Sequence, residues 1–204
     1  TREAVREAKA DYTPIFMHQI GPLFRRRELE LDVALIQVSP PDDHGFVSLG
    51  IGVDVVRSAA ESARHVIAQV NRHMPRTLGN SFLHVRAIHA FVEHDEPLTE
   101  FVYPEPDEVG RKIGEHTAKL IADGDTLHIG YGHIAYGVLR YLGEKRDLGL
   151  HTEVVSDAVI DLIEEGVVTG ARKTLLPGRI VCSFCIGSRR MYNYVDMNPS
   201  FLFL

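Results

Sequence analysis

The chain has 204 residues, 45% of them hydrophobic, and a formal net charge of −6, which suits one large or two small domains with a sizeable core. The acidic balance provides no electrostatic footprint for nucleic acid. No apolar run reaches the length of a membrane span and the first residues carry no apolar signal core, so a cytoplasmic protein with neither a membrane nor a nucleic-acid partner is expected.

Thr1 to Ala10 mixes charge and alanine in the manner of a surface helix. Gly21-Pro22 predicts a turn. The Arg25-Arg26-Arg27 run after it reads as a solvated patch, with phosphate contact as the alternative. Asp32 to Val38 is a near-continuous apolar run of strand length, as in a parallel sheet covered on both faces. It leads into Ser39 to Gly50, whose prolines, aspartates and glycines predict a rigid loop suited to ligand contact or simply a well-made turn.

Val53 to Ala63 has helical apolar spacing, and His65 to Val70 reads as a second buried strand. Asn80 to Val92 is expected to be extended. His84, His89 and His94 along it share neither a strand face nor a helix face, so no metal site is expected there. Glu93 to Asp107 carries Pro97, Pro104 and Pro106 among acids, which predicts a linker, with domains over 1–96 and 108–204 joined by 97–107. Glu105 to Ile121 is an amphipathic helix ended by Gly124.

Thr126 to Ala135 then reads as strand, glycine-rich turn and helix start. Leu127 and Ile129 are apolar in an extended run, Gly130 and Gly132 permit unusual backbone angles and close approach, and Ile134, Val138, Leu139 and Leu142 recur at helical spacing. The next apolar run ends with Glu153 near the carboxyl end of its strand, where open α/β sheets bind ligands. Two chemistries fit. Gly130-x-Gly132-x-x-Ala135 with an acidic residue about 20 positions on matches a dinucleotide fingerprint. Alternatively, Glu153 is a nucleophilic carboxylate beside amides that hold an oxyanion.

Ala158 to Glu165 is a short helix, Val167 to Lys173 a connector, and Met191 to Met197 a further helix. Arg179 to Gly187 reads as one strand in which Cys182 and Cys185 point to opposite faces, which predicts buried reduced thiols rather than a shared metal or a redox pair. A charged start and the apolar end Phe201 to Leu204 are expected of a piece of a longer polypeptide. The alternation of strand and helix says α/β with mainly parallel sheets.

Four stretches carry a resemblance. They are Gln37-Val-Ser-Pro-Pro-Asp-Asp-His-Gly-Phe-Val-Ser-Leu-Gly50, Gln69-Val-Asn-Arg-His-Met-Pro-Arg-Thr77, Leu150-His-Thr-Glu-Val-Val-Ser-Asp157, and Gly187-Ser-Arg-Arg-Met-Tyr192 with Asn198-Pro199. In this order they resemble the acetyl-CoA hydrolase/transferase family, which includes 4-hydroxybutyrate and butyrate:acetate CoA-transferases. The resemblance implies two α/β domains of the CoA-transferase type, the second incomplete here, and it displaces the dinucleotide fingerprint.

By motif the family's catalytic glutamate is Glu153, and its CoA-contacting loop is Gly130, Tyr131, Gly132, His133 and Ile134. The Ser39 to Gly50 loop is expected to border the cleft, and His151 to share a strand face with Glu153 and orient it. The implied reaction moves CoA between an acyl-CoA and a carboxylic acid by ping-pong chemistry through a glutamyl-CoA thioester. No tightly bound cofactor is implied, since CoA is substrate, and homo-oligomers are a family-level expectation. An acyl-CoA hydrolase of the same family, a nicotinamide-binding dehydrogenase domain and a non-catalytic acyl-CoA-binding homologue are the alternatives.

Overall fold

The computed structural model describes residues 2–204. Its first half contains α1 (Arg2–Arg6), α2 (Met17–Arg25), β1 (Val33–Val38), β2 (Phe46–Ser48), α3 (Asp54–Ser62), β3 (His65–Val70), β4 (Phe82–His84) and β5 (Ala90–Glu93). The second half contains α4 (Glu108–Ala118), β6 (Thr126–Leu127), α5 (His133–Leu139), β7 (Gly149–Leu150) and β8 (Val154–Val155). It continues with α6 (Asp157–Glu164), β9 (Ile180–Cys182), β10 (Phe184–Cys185), α7 (Arg189–Val195) and β11 (Phe201–Phe203). The mixture is α/β, and β1–β3–β5, β6–β7, β8–β10 and β9–β11 all pair in parallel.

β1 alternates. Ala34, Ile36 and Val38 are buried, whereas Val33 and Leu35 are exposed, Leu35 by 78%. The expectation of a sheet covered on both faces therefore fails among the described residues: α3 packs against β1 with α2 outside it, and the face of Val33 and Leu35 stays open. Gly21-Pro22 is not a turn either, because α2 runs through it. At that position proline forfeits one amide bond to the preceding turn, and packing against α3 offsets the loss. A Cβ on Gly21 would lie 2.8 Å from Ser58 Oγ of α3, so glycine is what allows the two helices to approach this closely.

The extended run expected over Asn80 to Val92 is broken by a 3-10 turn at Val85–Ala87, which separates antiparallel β4 from parallel β5. The His84 imidazole accepts from the Arg86 amide at 3.1 Å, and the His89 imidazole from the Val66 amide at 3.0 Å. Both rings are used as backbone caps.

The proline-rich stretch after β5 is pinned along its length. The Phe101 amide donates to the Gly187 carbonyl at 2.9 Å, the Tyr192 hydroxyl donates to the Thr99 carbonyl at 2.7 Å, and Tyr103 stacks on Tyr136.

The strand expected over Arg179 to Gly187 is interrupted at Ser183. Its amide donates to the Glu153 carbonyl and its carbonyl accepts from the Val53 amide, both at 3.0 Å, so the chain leaves one sheet there and joins another. Cys182 and Cys185 are free and buried on either side of the break, and burial pushes both thiols up from their ordinary range.

β11 buries Phe201 and Phe203 completely between β9 and the Leu78–Asn80 segment of the first half. Phe201 and Phe203 of the final apolar run are thus core, while Leu204 is exposed. No helix among the described residues is long and apolar enough to cross a membrane.

Candidate active site

Four stretches distant in sequence converge on one cleft of about 620 Å³. Gln37 at the end of β1, Met74, Glu153 and Tyr192 each contribute a wall, with Asp54 and Phe184 among the others. Glu153 is half-buried. It lies in a bend between β7 and β8, beyond the last bridge at His151, rather than at the end of a continuous strand.

That bend is held on every side. The Glu153 carbonyl accepts from the Ser183 and Phe184 amides at 3.0 and 3.1 Å, and the preceding Thr152 amide donates to the Val181 carbonyl at 2.9 Å. With its backbone bonded inward, the carboxylate is left to the cleft. A nucleophile needs such a support, because its position has to be set by something other than its own flexible side chain.

His151 does not orient the carboxylate. The imidazole is exposed and makes no hydrogen bond to Glu153, while its backbone amide is spent on the Leu127 carbonyl. The strand bends after His151, so the common face that a regular strand would provide is lost.

The glycine turn lies close in the chain path but opens elsewhere. Gly130, Tyr131, Gly132, His133 and Ile134 all line a largely apolar cavity of about 710 Å³ beneath α4 and α5, and Glu153 is not among its walls. The two spaces are linked by one side chain. Buried Thr152 accepts from the Ile129 amide and donates to the Ile129 carbonyl, each at 2.8 Å.

The two glycines of the turn differ. A Cβ at either would meet nothing within 4 Å, but Gly132 has φ 146°, a backbone that favours glycine. No contact within the protein therefore requires glycine at position 130, and the open space beside it is available to a ligand.

The Ser39 to Gly50 loop does not itself border the cleft of Glu153, whose walls include residues just before and just after it, Gln37, Ile51, Gly52 and Asp54. The loop is instead locked by Arg76. That guanidinium donates to Asp42 at 2.8 Å, to Ser39 Oγ and the Pro40 carbonyl at 3.0 Å and to the Phe46 carbonyl at 3.2 Å, and it lies over the Phe82 ring. Amides of Phe46 and His44 together with Arg76 hold the Asp42 carboxyl below its usual range.

A second joint links the other two motifs: Asp157 accepts from the Ser188 amide at 2.8 Å and from its hydroxyl. A Cβ at Gly187 would overlap that carboxylate. The Arg76 amide, finally, donates to Asp196 at 2.7 Å and ties the halves together.

Lys173, expected in a plain connector, is buried. Its ammonium donates to the Leu150 and Arg179 carbonyls at 2.8 and 2.6 Å, binding the end of β7 to the approach of β9, and burial lowers its pKa. Periodicity offered no signal for it, because its contacts come from turns on both sides. Thr152 was likewise hidden, although it stands next to Glu153 in the motif.

A family model described as the acetyl-CoA hydrolase/transferase N-terminal domain matches residues 1–103. The 4-hydroxybutyrate coenzyme A transferase of Clostridium kluyveri is 48% identical over 199 residues, covering 98% of this chain and 46% of that protein. The succinyl-CoA:acetate/propanoyl-CoA:succinate CoA transferase of Fasciola hepatica is 44% identical over 199 residues, 97% of this chain and 42% of its own.

Among solved structures, the 4-hydroxybutyrate CoA-transferase of Porphyromonas gingivalis matches with a TM-score of 0.87 at 39% identity, over 99% of this chain and 52% of that one. RipA of Yersinia pestis matches with a TM-score of 0.89 at 35% identity, over 98% and 47%. The chain spans about half the length of the relatives it matches.

Proposed function

Because the chain belongs to the acetyl-CoA hydrolase/transferase family, we propose that it provides the nucleophile of a CoA-transferase, with Glu153 as the attacking residue. One observation carries this most directly: the cleft that holds Glu153 takes a wall from each of the four motif stretches. The stretch 97–107 is proposed as the boundary between two CoA-transferase domains.

The chemistry is covalent and needs no net proton transfer. The Glu153 carboxylate attacks the thioester carbonyl carbon and expels CoA thiolate, leaving a mixed anhydride. The thiolate attacks the glutamyl carbonyl, forms a glutamyl-CoA thioester and releases the first acid as its carboxylate. A second carboxylate attacks that thioester and again expels CoA thiolate, which then takes the acyl carbon of the new anhydride and frees Glu153. The thioester's energy is kept throughout.

Each tetrahedral step requires donors aimed at an oxyanion. The amides of Gly130, Tyr131, Gly132 and His133 are proposed for this, with Ile134 and the apolar cavity beside the turn receiving part of CoA. The relatives named above as CoA transferases support a carboxylic acid, rather than water, as final acceptor.

Mass spectrometry of the complete polypeptide after mixing with acetyl-CoA or butyryl-CoA tests the proposal. A CoA adduct on the peptide containing Glu153 is expected. Transfer to a carboxylic acid without any such adduct would overturn the assignment.

A further inference from the structure

The cleft of Glu153 is rich in acceptors. Asp54 and Glu96 are among its walls alongside Glu153 itself, and the Tyr192 hydroxyl is already committed to the Thr99 carbonyl. A carboxylic acid entering as its anion would meet like charges and few donors. The wall at the carboxyl ends of β1 and β3 supplies what is missing.

Asn71 is completely buried there. Its amide oxygen accepts from the His73 and Glu96 backbone amides at 3.0 and 3.3 Å. Backbone N–H groups can only donate, so these contacts leave no choice of amide orientation. The Asn71 nitrogen must therefore be the donor to its remaining neighbours, the Glu96 carbonyl at 2.8 Å and Gln37 at 3.3 Å.

The atom of Gln37 that receives this bond must be its oxygen. The Gln37 Nε2 group is turned away from Asn71 in consequence, and no acceptor among the described residues takes its hydrogens. Gln69, its register partner on β3, cannot play the same part, since its amide nitrogen is spent on the His94 carbonyl and the Glu96 carboxylate, both at 3.1 Å.

We infer that Gln37, oriented by Asn71, is the specificity-determining donor for the carboxylate of the acid that exchanges at Glu153. This rests on Glu153 being the nucleophile. The acid's carboxylate oxygen accepts from Gln37 Nε2 within the cleft, which offsets the repulsion of the neighbouring carboxylates and holds the acid for attack on the glutamyl thioester. Asn71 is a positioning residue: its side chain hydrogen-bonds only Gln37 and the backbone, and it acts by fixing which end of the Gln37 amide faces the substrate.

The test uses the complete enzyme and measures KM separately for acyl-CoA and for acetate or butyrate as acceptor. Gln37→Glu keeps the side chain's shape and its bond to Asn71 but removes both donors from the cleft. The KM for the acid should rise by about tenfold or more, as expected for a lost charge-assisted hydrogen bond, while the KM for acyl-CoA changes far less. Gln37→Ala, free of the added charge, should move the same constant in the same direction.

Asn71→Asp provides a readout that a structural role would not move. Aspartate cannot donate, so the Gln37 amide should flip, present its oxygen to the cleft and reproduce the acid-specific effect with Gln37 intact. An unchanged acid KM in folded Gln37→Glu and Gln37→Ala, with the wild type still forming its CoA adduct, would overturn the role of Gln37 alone. A wild type that transfers CoA without that adduct would overturn the nucleophile and this inference with it.

Discussion

Thr152 both accepts from and donates to the backbone of Ile129, each time at 2.8 Å, so one hydroxyl joins the strand leading to Glu153 to the strand leading into the glycine turn. Thr152→Val is close in shape and removes both bonds, leaving a buried amide and a carbonyl without these partners. A loss of about 1–3 kcal/mol in a urea melt is expected. CoA-transfer activity should fall further than that loss of folded protein explains, because the turn and the carboxylate lose their common anchor. Thr152→Ser keeps the hydroxyl and should restore both.

Glu153→Asp shortens the proposed nucleophile by one methylene while its backbone remains bonded to Ser183 and Phe184. A displacement on the order of 1 Å is expected to cost about 100-fold in kcat. Steady-state transfer assays check this, together with thermal melts that should match the wild type.

Gly130→Ala separates folding from binding. Since the added Cβ meets nothing within 4 Å, the melting temperature should not change. If the space belongs to CoA, the KM for acyl-CoA should rise severalfold. Gly79→Ala is the contrasting case. Its φ is +110° and the new Cβ would overlap the Phe203 backbone, so destabilisation should appear in the melt.

The Asp42 carboxyl titrates below its ordinary value of 3.8 because the Phe46 and His44 amides and Arg76 favour its charged form. The sign follows from proton binding: on acidification the unfolded chain takes up this proton before the native one does. The stabilisation is full above pH 3.8 and is lost as pH falls through the lower native pKa. Asp42→Asn should lack this component in a stability profile measured by urea unfolding from pH 6 downward.

Cys182 and Cys185 are only 1% and 2% exposed, and burial raises both thiols. The thiolate is the reactive form, so a soluble thiol reagent at neutral pH should label neither residue in the folded protein. Both should react after denaturation. Labelling followed by peptide mass spectrometry reads each cysteine separately.

Much of the molecule was legible without coordinates. Strands Val33–Val38 and His65–Val70 and helices α3, α4, α5 and α6 lie close to where apolar runs and spacing put them, although α4 turns Gly110, Gly114 and Ala118 inward and leaves its apolar Val109 and Ile113 exposed. The glycine turn opening α5 was readable from Gly130 and Gly132, and Glu153 stood out through the resemblance of its motif to the family. The alternation of strand and helix patterns indicated a mixed α/β chain, and the spacing of Cys182 and Cys185 indicated buried thiols.

Other features depended on partners distant in the chain. Pro22 sits inside α2 because Gly21 packs on Ser58 of α3, and the Cys182-to-Cys185 run breaks because Ser183 bonds both Glu153 and Val53. His151 and Glu153 share no regular strand, since the chain bends to meet a different neighbour on each side. Local periodicity carries no information about such partners. Which side chains face Glu153, and which end of the Gln37 amide they see, was decided only when the four motif stretches closed on one cleft and each backbone donor had to find its acceptor.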